Sequence, residues 1–520
     1  MLPTGLPVSG MSRWNPLSGL ARSWGHFVRR PRSTQIRTLG IVGAVLIGTT
    51  VWVATAPPSS TTQAAPAGGL SAQDGGPALE KGPVPVSQAS TSTRGVAPRS
   101  INVAFPLVSL SSLAGQEGFA ADIEFGEQSK AIQLYVKEIN DSGGINGRMI
   151  NPIITTFDPL SQSGIRALCK TWTEGSPAAF AVLDGLGDWR DDNQLCITQE
   201  GHTPFIGQWS TVTNWTTLGS PYLWWTGADQ AVILKAVVNW GLSDGLLGGG
   251  RKVGVVVGDR ASDQLALNGY LLPDLKRAGI TPVVQTIASD PSETATTDSE
   301  APLAVQRLRS EGVTSVIPLV QFNVFFPLLQ AETAQNYFPR LLLSDYESTI
   351  QGSLGLLPAP YAKALNGQEG LTTMTLGGID DDRPQSQGGY DPAVRSCFTT
   401  WHRAYPQIPP GNQSFYIEEQ GPVASWCQAV RLFATAARAA GPDLNRRTFV
   451  TAMSKVTGFP GAWSPILSYG PTKHYGPTEY QVVRLHINSP ASTQCKLPKN
   501  HVPQGTCWVT VKPFAPLPSG

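Results

Sequence analysis

The chain has 520 residues, too many for one ordinary hydrophobic core, so two or three domains are expected. With 41% hydrophobic and only 14% charged residues, it is neither a highly charged disordered chain nor a nucleic-acid-coating one. The formal charge is +1, yet Arg13, Arg22, Arg29, Arg30, Arg32 and Arg37 place +6 in residues 1–38, which leaves −5 for residues 39–520. That mildly acidic remainder has no basic field to offer nucleic acid.

In chain order, residues 1–38 form a basic segment and residues 39–56 an uncharged, mostly apolar run of 18. The run is long for a signal-peptide core and just long enough to span a bilayer. Arginines before it, and none for many residues after it, orient the downstream chain outward. Ala54-Thr55-Ala56 offers a small-x-small cleavage site that the adjacent Pro57 disfavours. A retained anchor and a cleaved signal therefore both stand open, and on either the bulk of the chain is extracytoplasmic. Residues 57–99, rich in Pro, Ala, Ser, Thr and Gly, are expected to be a disordered linker, since they have too little apolar surface to offset ordering.

From Ser100 onward strands and helices alternate. Ile101, Val103, Phe105 and Leu107 alternate as in a strand, and Ile132, Tyr135, Val136 and Ile139 recur at helical spacing. Gly143 and Gly144 follow as a helix stop, and a second strand runs from Ile150 to Phe157. Further βαβ units are expected as a helix over 162–172 and strand 178–183, then a helix near 191–199 and strand 204–206. A strand over 222–225 and a helix over 228–240 close this first run. A second run begins at strand 252–257, with helices over 264–278, 302–310 and 324–335 and strands over 282–287, 315–320, 341–343 and 371–376. Helices over 393–404, 423–440 and 446–456 come next, then strands over 481–487 and 507–511. Two consecutive βαβ runs separated near Gly227 make an α/β protein of two lobes, each a parallel sheet flanked by helices.

Catalytic motifs fail on context. Gly241-Leu242-Ser243-Asp244-Gly245 matches a nucleophile elbow, but lies on a helix-to-strand turn where the elbow needs strand-to-helix. Gly248–Gly250 lacks the Lys-Ser/Thr of a phosphate loop. Asp380–Pro384 lacks the spacing of a calcium loop, and the six histidines have no paired spacing. No enzyme, metal or cofactor is expected.

Binding remains. In open α/β sheets ligands lie beyond the carboxyl ends of the strands, and paired lobes form a cleft. The candidate contacts in the first lobe are thus Gln116, Glu117, Asp184, Gly185, Leu186, Gly187, Gln208, Trp209, Ser210 and Thr211. In the second lobe they are Asp259, Arg260, Ser262, Gln321, Phe322, Asp345, Tyr346 and Glu347. Hydroxyls and backbone N–H groups at Ser210, Thr211 and 184–187 suit a carboxylate, Asp345 or Glu347 an ammonium, and Trp209 or Phe322 an apolar moiety.

The stretch "KEINDSGGINGRMINPIITTFDP", Lys137 to Pro159, resembles the first helix and second strand of type I extracytoplasmic solute-binding proteins, the branched-chain amino-acid and amide receptors of ABC transporters. "KVGVVVGDRASDQLALNGYLLPDLKRAGI" and "RLFATAARAAGPDLNRRTFVTAMSKVTGFPG" resemble later parts of the same family. The resemblance implies three crossings between lobes, near Gly227, Gly377 and Gly461. Lobe one would then comprise 100–227 plus 377–461, and lobe two 228–376 plus 462–515. It implies a small solute such as an amino acid or amide as ligand and a membrane permease as partner. The matching positions at Ser210, Thr211 and 345–347 contact the ligand's carboxylate and amine in the family. Six cysteines allow fifteen pairings, and closeness in this fold suggests Cys169–Cys196, Cys397–Cys427 and Cys495–Cys507. Three departures stand out: Ser262-Asp263 replaces Tyr-Gly, Ser425-Trp426-Cys427 replaces Tyr-Asp-Ala, and no lipid-attachment Cys follows Ala56. The first weakens the case for an amino-acid ligand. A sensor signalling through a membrane partner would use the same fold, and an exported hydrolase would need a nucleophile, base and orienter that the chain does not offer.

Overall fold

The alternating apolar residues of Ser100–Val108 form β1, which pairs in parallel with β2 (Met149–Phe157) on one side and β3 (Ala181–Asp184) on the other. With β4 (Phe205–Gly207) and β5 (Leu223–Trp225) they make a five-stranded sheet in the order β2-β1-β3-β4-β5. The computed structural model describes residues 83–109, 128–158, 161–184, 193–208, 213–290, 292–346, 361–374, 392–406, 421–486 and 507–518. All of them fall in one compact unit, Gly68–Gly520.

The family-like stretch is local architecture. Helix α1 (Gln128–Asp141) buries Ile132, Tyr135, Val136 and Ile139. The Asn140 side chain clamps β2, donating to Ile150 O at 2.9 Å and accepting from Ile150 N at 2.7 Å. Glu138 receives Arg431 at 2.7 Å. Gly144 sits at φ +68°, and a Cβ there would lie 2.2 Å from Arg148 O, so only glycine can make the turn. This turn caps α1 at the amino ends of the strands.

The second sheet has the order β14-β13-β10-β9-β8-β6-β7. Its parallel members are β6 (Val253–Gly258), β7 (Val283–Ile287), β8 (Ser315–Leu319), β9 (Arg340–Ser344) and β10 (Glu369–Thr372). After β11 (Phe459–Pro460) and β12 (Ile466–Leu467), a two-stranded hairpin, come β13 (Glu479–His486) and β14 (Cys507–Pro516), both antiparallel additions at the edge. Helices α2 (Gln162–Thr173), α3 (Asn193–Leu195), α4 (Thr213–Leu218), α5 (Gln230–Ser243), α6 (Ala261–Ala266), α7 (Leu272–Arg277), α8 (Thr294–Ser310), α9 (Phe322–Ala334) and α10 (Ala362–Leu365) alternate with these strands. The chain then returns to the first sheet with α11 (Pro392–Ala404), α12 (Gly421–Ala439) and α13 (Arg446–Met453). Helix α12 buries the stripe Val423, Trp426, Val430, Phe433 and Ala437 fully, with Trp426 edge-on to Phe105 of β1 at 5.8 Å and Phe433 near Phe180 at 6.4 Å. Chain order and sheet membership give the two-lobed type I arrangement, each sheet flanked by helices.

Several boundaries differ from the sequence reading. Helix α8 starts eight residues before Pro302, which lies inside it; a proline need not mark a helix start where the preceding turn is already formed. The 261–277 helix begins three residues early and carries a π-helical turn over Leu267–Leu271. Helix α4 is too short and polar to have shown a period. The expected linker over 57–99 is shorter at its end, because residues 83–99 lie on the first lobe. Ala89 is buried, Ser90 N donates to Tyr222 Oη at 2.6 Å, and Arg446 N donates to Ser92 O at 3.0 Å. Specific partners hold a segment whose composition alone would not. Residues 39–82 lie outside the described residues, as do the crossing near Gly377 and Asp380–Pro384. Among the described residues no helix is long and apolar enough to cross a membrane.

Residues 474–476, which follow the expected third crossing near Gly461 in sequence, lie against β5. Trp225 N donates to His474 O at 2.8 Å and Gly476 N to Trp225 O at 2.9 Å. His474 stacks on Trp224 at 3.9 Å and its Nδ1–H donates to Leu223 O at 2.9 Å. The Lys473 ammonium donates to the carbonyls of Ser468, Tyr475, Gly476 and Pro477 at 2.6–3.1 Å, folding this turn around one cation.

Disulfides Cys169–Cys196 and Cys397–Cys427 tie α2 to the turn after α3, and α11 to α12. Cys495 lies outside the described residues, as does the side chain of Cys507. The Cys397–Cys427 bridge closes a loop of 30 residues. Replacing both cysteines with serine should lower stability by roughly 3–4 kcal/mol, read as a lower melting temperature than that of the oxidised parent.

Candidate functional site

The parallel register brings the carboxyl ends of the second sheet into one rim: Gly258 stands beside Ile287, Val257 beside Leu319, and Leu371 beside Ser344. The residues just beyond these ends carry the polar side chains. Asp259 accepts from Ser289 N at 3.0 Å and Ser289 Oγ at 2.9 Å, joining the loops after β6 and β7. Asp345, after β9, accepts from Thr372 Oγ1 at 2.6 Å, Thr373 N at 2.7 Å and Thr373 Oγ1 at 2.8 Å. Its carboxylate is thus engaged in bracing the loop after β10.

Arg260 precedes α6, and its Nε and Nη2 each reach one oxygen of Asp263 at 2.9 Å. Asp263 is fully buried, and Tyr346 Oη donates to its Oδ1 at 2.6 Å. Gly258 makes room for this pair, since a Cβ there would come within 2.2 Å of Asp263 Oδ2 and 2.6 Å of Ser289 Oγ. Ser262 is buried beside the pair in sequence. Asp263, Ser289, Thr372 and Thr373 were not among the residues singled out from sequence. Asp263 was visible there only as a departure from the family's Tyr-Gly, and the i, i+3 spacing from Arg260 was its one positive signal.

Two candidates share an unusual state, one on each sheet. Gln208, directly after β4, is buried, and neither its Oε1 nor its Nε2 has a hydrogen-bond partner among the described residues. Gln321, after β8, is likewise buried with Oε1 unpartnered among the described residues. Leaving such an atom dry costs about 1–3 kcal/mol, so each amide is set to gain from a polar partner.

Of the remaining candidates, Asp184 ends β3 and Phe322 opens α9, with their side chains outside the described residues. Gln116, Glu117, Gly185, Leu186, Gly187, Trp209, Ser210, Thr211 and Glu347 also lie outside them. Ser243 of the elbow-like sequence ends α5 and hydrogen-bonds to Trp240 O at 2.9 Å and Asp244 Oδ1 at 2.8 Å, which makes it part of a helix terminus.

Behind the rim, Asp229 caps α5 and accepts from Ala231 N at 2.9 Å and Thr213 Oγ1 at 2.7 Å. Thr213 opens α4, so this carboxylate ties the start of α4 to the start of α5. Tyr270 Oη, from the second lobe, approaches Asn214 Oδ1 at 3.4 Å. Thr213, Asp229, Tyr270 and Lys473 line a cavity of about 820 Å³.

Burial pushes the Asp229 carboxyl up to about 6, against the lowering effect of Thr213 and the α5 amides. The folded protein thus holds this proton more tightly than the unfolded chain does, so the contribution of Asp229 to stability falls as pH rises from about 4 through 6. Asp229→Asn keeps an oxygen for the cap. The difference in stability between variant and parent should grow in the variant's favour over that range, to on the order of 2–3 kcal/mol at neutral pH, read as a widening gap in melting temperature. Thermal melts at matched pH from 4.5 to 7.5 check the slope.

A family model described as periplasmic binding protein matches residues 112–490. Solved structures share the fold at low identity. A fatty acid ABC transporter substrate-binding protein from Thermomonospora curvata superposes with a TM-score of 0.57 at 17% identity, over 81% of this chain and 93% of that one. An ABC transporter solute-binding protein from R. palustris in complex with 4-hydroxybenzoate gives 0.58 at 13%, over 81% and 98%. A leucine-binding protein from Thermotoga maritima gives 0.54 at 12%, over 75% and 96%. No curated protein sequence matches the chain.

Proposed function

Because the chain belongs to the periplasmic binding protein family, we propose that it is an extracytoplasmic solute-binding receptor that closes two lobes around a small polar solute and presents the closed form to the permease of an ABC-type importer. Its work is binding, without covalent chemistry. The lobes are residues 100–227 with 377–461 and residues 228–376 with 462–515, hinged at the crossings. The receptor is exported and either held by residues 39–56 or released after cleavage.

The observation that carries this reading is the pair Gln208 and Gln321. Each is a buried amide with an unpartnered atom among the described residues, each sits just past the carboxyl end of a parallel strand, and they belong to opposite sheets. An enclosed solute with donors and acceptors would partner both at once, which favours the closed state over the open one. The solutes named for proteins of this fold include fatty acid, 4-hydroxybenzoate and leucine, so small carboxylates as well as amino acids and amides are the classes to screen.

A thermal-shift screen of the full chain against amino acids, amides, aromatic acids and short fatty acids tests the reading. A solute at 100 times its dissociation constant should stabilise the protein by about 2.7 kcal/mol. Gln208→Met and Gln321→Met should each raise the unliganded melting temperature slightly, because they remove an idle buried amide, and should sharply reduce the solute-induced shift. Variants that are less stable yet bind as before would assign both amides to the core.

A further inference from the structure

We propose that the cationic groove between α12 and α13 on the first lobe is a docking surface for the anionic phosphate headgroups of a lipid bilayer. The inference goes beyond solute binding. It rests on the reading that the protein is exported, and on no property of the cleft.

The groove encloses about 1240 Å³. Arg431 and Arg438 of α12 stand on one wall, and Arg447 of α13 and Lys455 just past its end on the other. Arg431, Thr435 and Arg438 follow at i, i+4 and i+7, and Arg447, Thr451 and Lys455 at i, i+4 and i+8. Each set therefore shares one side of its helix, and all six residues line the groove. The one carboxylate in the lining, Glu138, receives Arg431 at 2.7 Å. Four cations against one carboxylate leave a local charge of +3, although residues 39–520 carry −5 together.

Part of this charge is held in place and part is open. Arg438 donates to Gly144 O at 2.9 Å and to Ser142 Oγ at 3.0 Å, and Arg447 Nε donates to Ala89 O at 2.7 Å. The Nη atoms of Arg447 and the ammonium of Lys455 have no partner among the described residues, and both side chains are exposed. A guanidinium and an ammonium of this kind suit phosphate oxygens.

Two further observations select a bilayer over a soluble anion. Residues 83–99 join the folded body against α13, where Ala89 O meets Arg447 and Arg446 N donates to Ser92 O at 3.0 Å. Only 26 residues, 57–82, separate this entry from the apolar run 39–56, and a tether of that length reaches at most about 90 Å. Attachment through the apolar run would hold the groove beside headgroups at high effective concentration. Pro460, in the groove lining, pairs with Ile466, whose side chain is 43% exposed. Basic side chains beside an exposed aliphatic one suit the boundary between headgroups and acyl chains.

Residues 68–520 form a compact unit that contains both sheets. This piece lacks the arginines of residues 1–38 and the apolar run, each of which would bind vesicles by itself. Its co-sedimentation with phosphatidylcholine vesicles, and with vesicles that also contain phosphatidylglycerol, tests the assignment. Binding should be confined to the anionic vesicles and should weaken steeply as salt is raised. Each basic side chain at an anionic surface strengthens binding about fivefold, so Lys455→Gln should weaken it about fivefold and Arg447→Gln with Lys455→Gln about thirtyfold. Lys455 has no partner to lose, so its variant should melt with the parent. Lys276→Gln with Arg309→Gln removes the same charge from the second lobe and should bind as the parent does. An equal loss in that control, no loss in Lys455→Gln, or equal binding to neutral vesicles would overturn the proposal. So would capture of a polyglutamate peptide without binding to vesicles, which would give the groove to an acidic protein. None of these results bears on the solute, which the thermal-shift screen reads separately.

Discussion

Everything proposed for solute binding by this chain depends on how residues 468–478 are held against β5. Two backbone hydrogen bonds join Trp225 to residues 474–476, and the imidazole of His474 lies flat on Trp224. Burial lowers that imidazole to about 4, so at neutral pH it is uncharged and its Nδ1–H can serve Leu223. Lys473 next to it spans four carbonyls with one ammonium, while Tyr469 packs edge-on to Trp224 at 5.8 Å. Backbone pairing, one stack and one cation hold this turn on the first sheet, and in the proposed receptor the hinge of lobe closure would lie beside it.

On either side of that joint the polar groups fall into two kinds. Asp259, Asp345 and the Arg260–Asp263–Tyr346 cluster are satisfied within the second lobe, so they build a rigid rim whose geometry exists before any solute arrives. Gln208 and Gln321 are unsatisfied among the described residues and lie on opposite sheets. In the proposed receptor the charged rim would select the solute, and the unpartnered amide atoms of both lobes would favour closure around it. Asp229 caps α5 while receiving the first hydroxyl of α4, so one carboxylate joins the starts of the two helices.

The alternation of strands and helices was legible because both patterns are strong in this chain: the fully buried runs of β6 and β8 and the single stripe of α12 leave little choice of element. The family-like turn was legible too, and the structure explains its residues one by one. Asn140 clamps β2, Glu138 anchors Arg431, and Gly144 makes a turn no other residue can. All of these lie at the amino ends of the strands, away from the proposed site, so the stretch that identifies the architecture is silent about the solute. The site was legible only as a set of positions. Sequence pointed to Asp345 as a partner for an ammonium, and spacing alone could not reveal that Thr372 and Thr373, 27 and 28 residues on, engage that carboxylate. The reverse holds for Asp263, which read as a departure and turns out to orient Arg260. Long-range hydrogen bonds of this kind depend on register between strands, and no local pattern encodes register. The ordered residues 83–99 were missed for a similar reason, because their partners Tyr222 and Arg446 lie far away in sequence.

The central claim is that a small solute draws the two lobes together around itself. Small-angle X-ray scattering of the monodisperse protein, with and without a saturating solute found by titration, tests it most directly. The expected result is a smaller radius of gyration in the bound state, with a scattering curve that matches a closed two-lobed body. Saturating binding with an unchanged scattering curve would contradict the account.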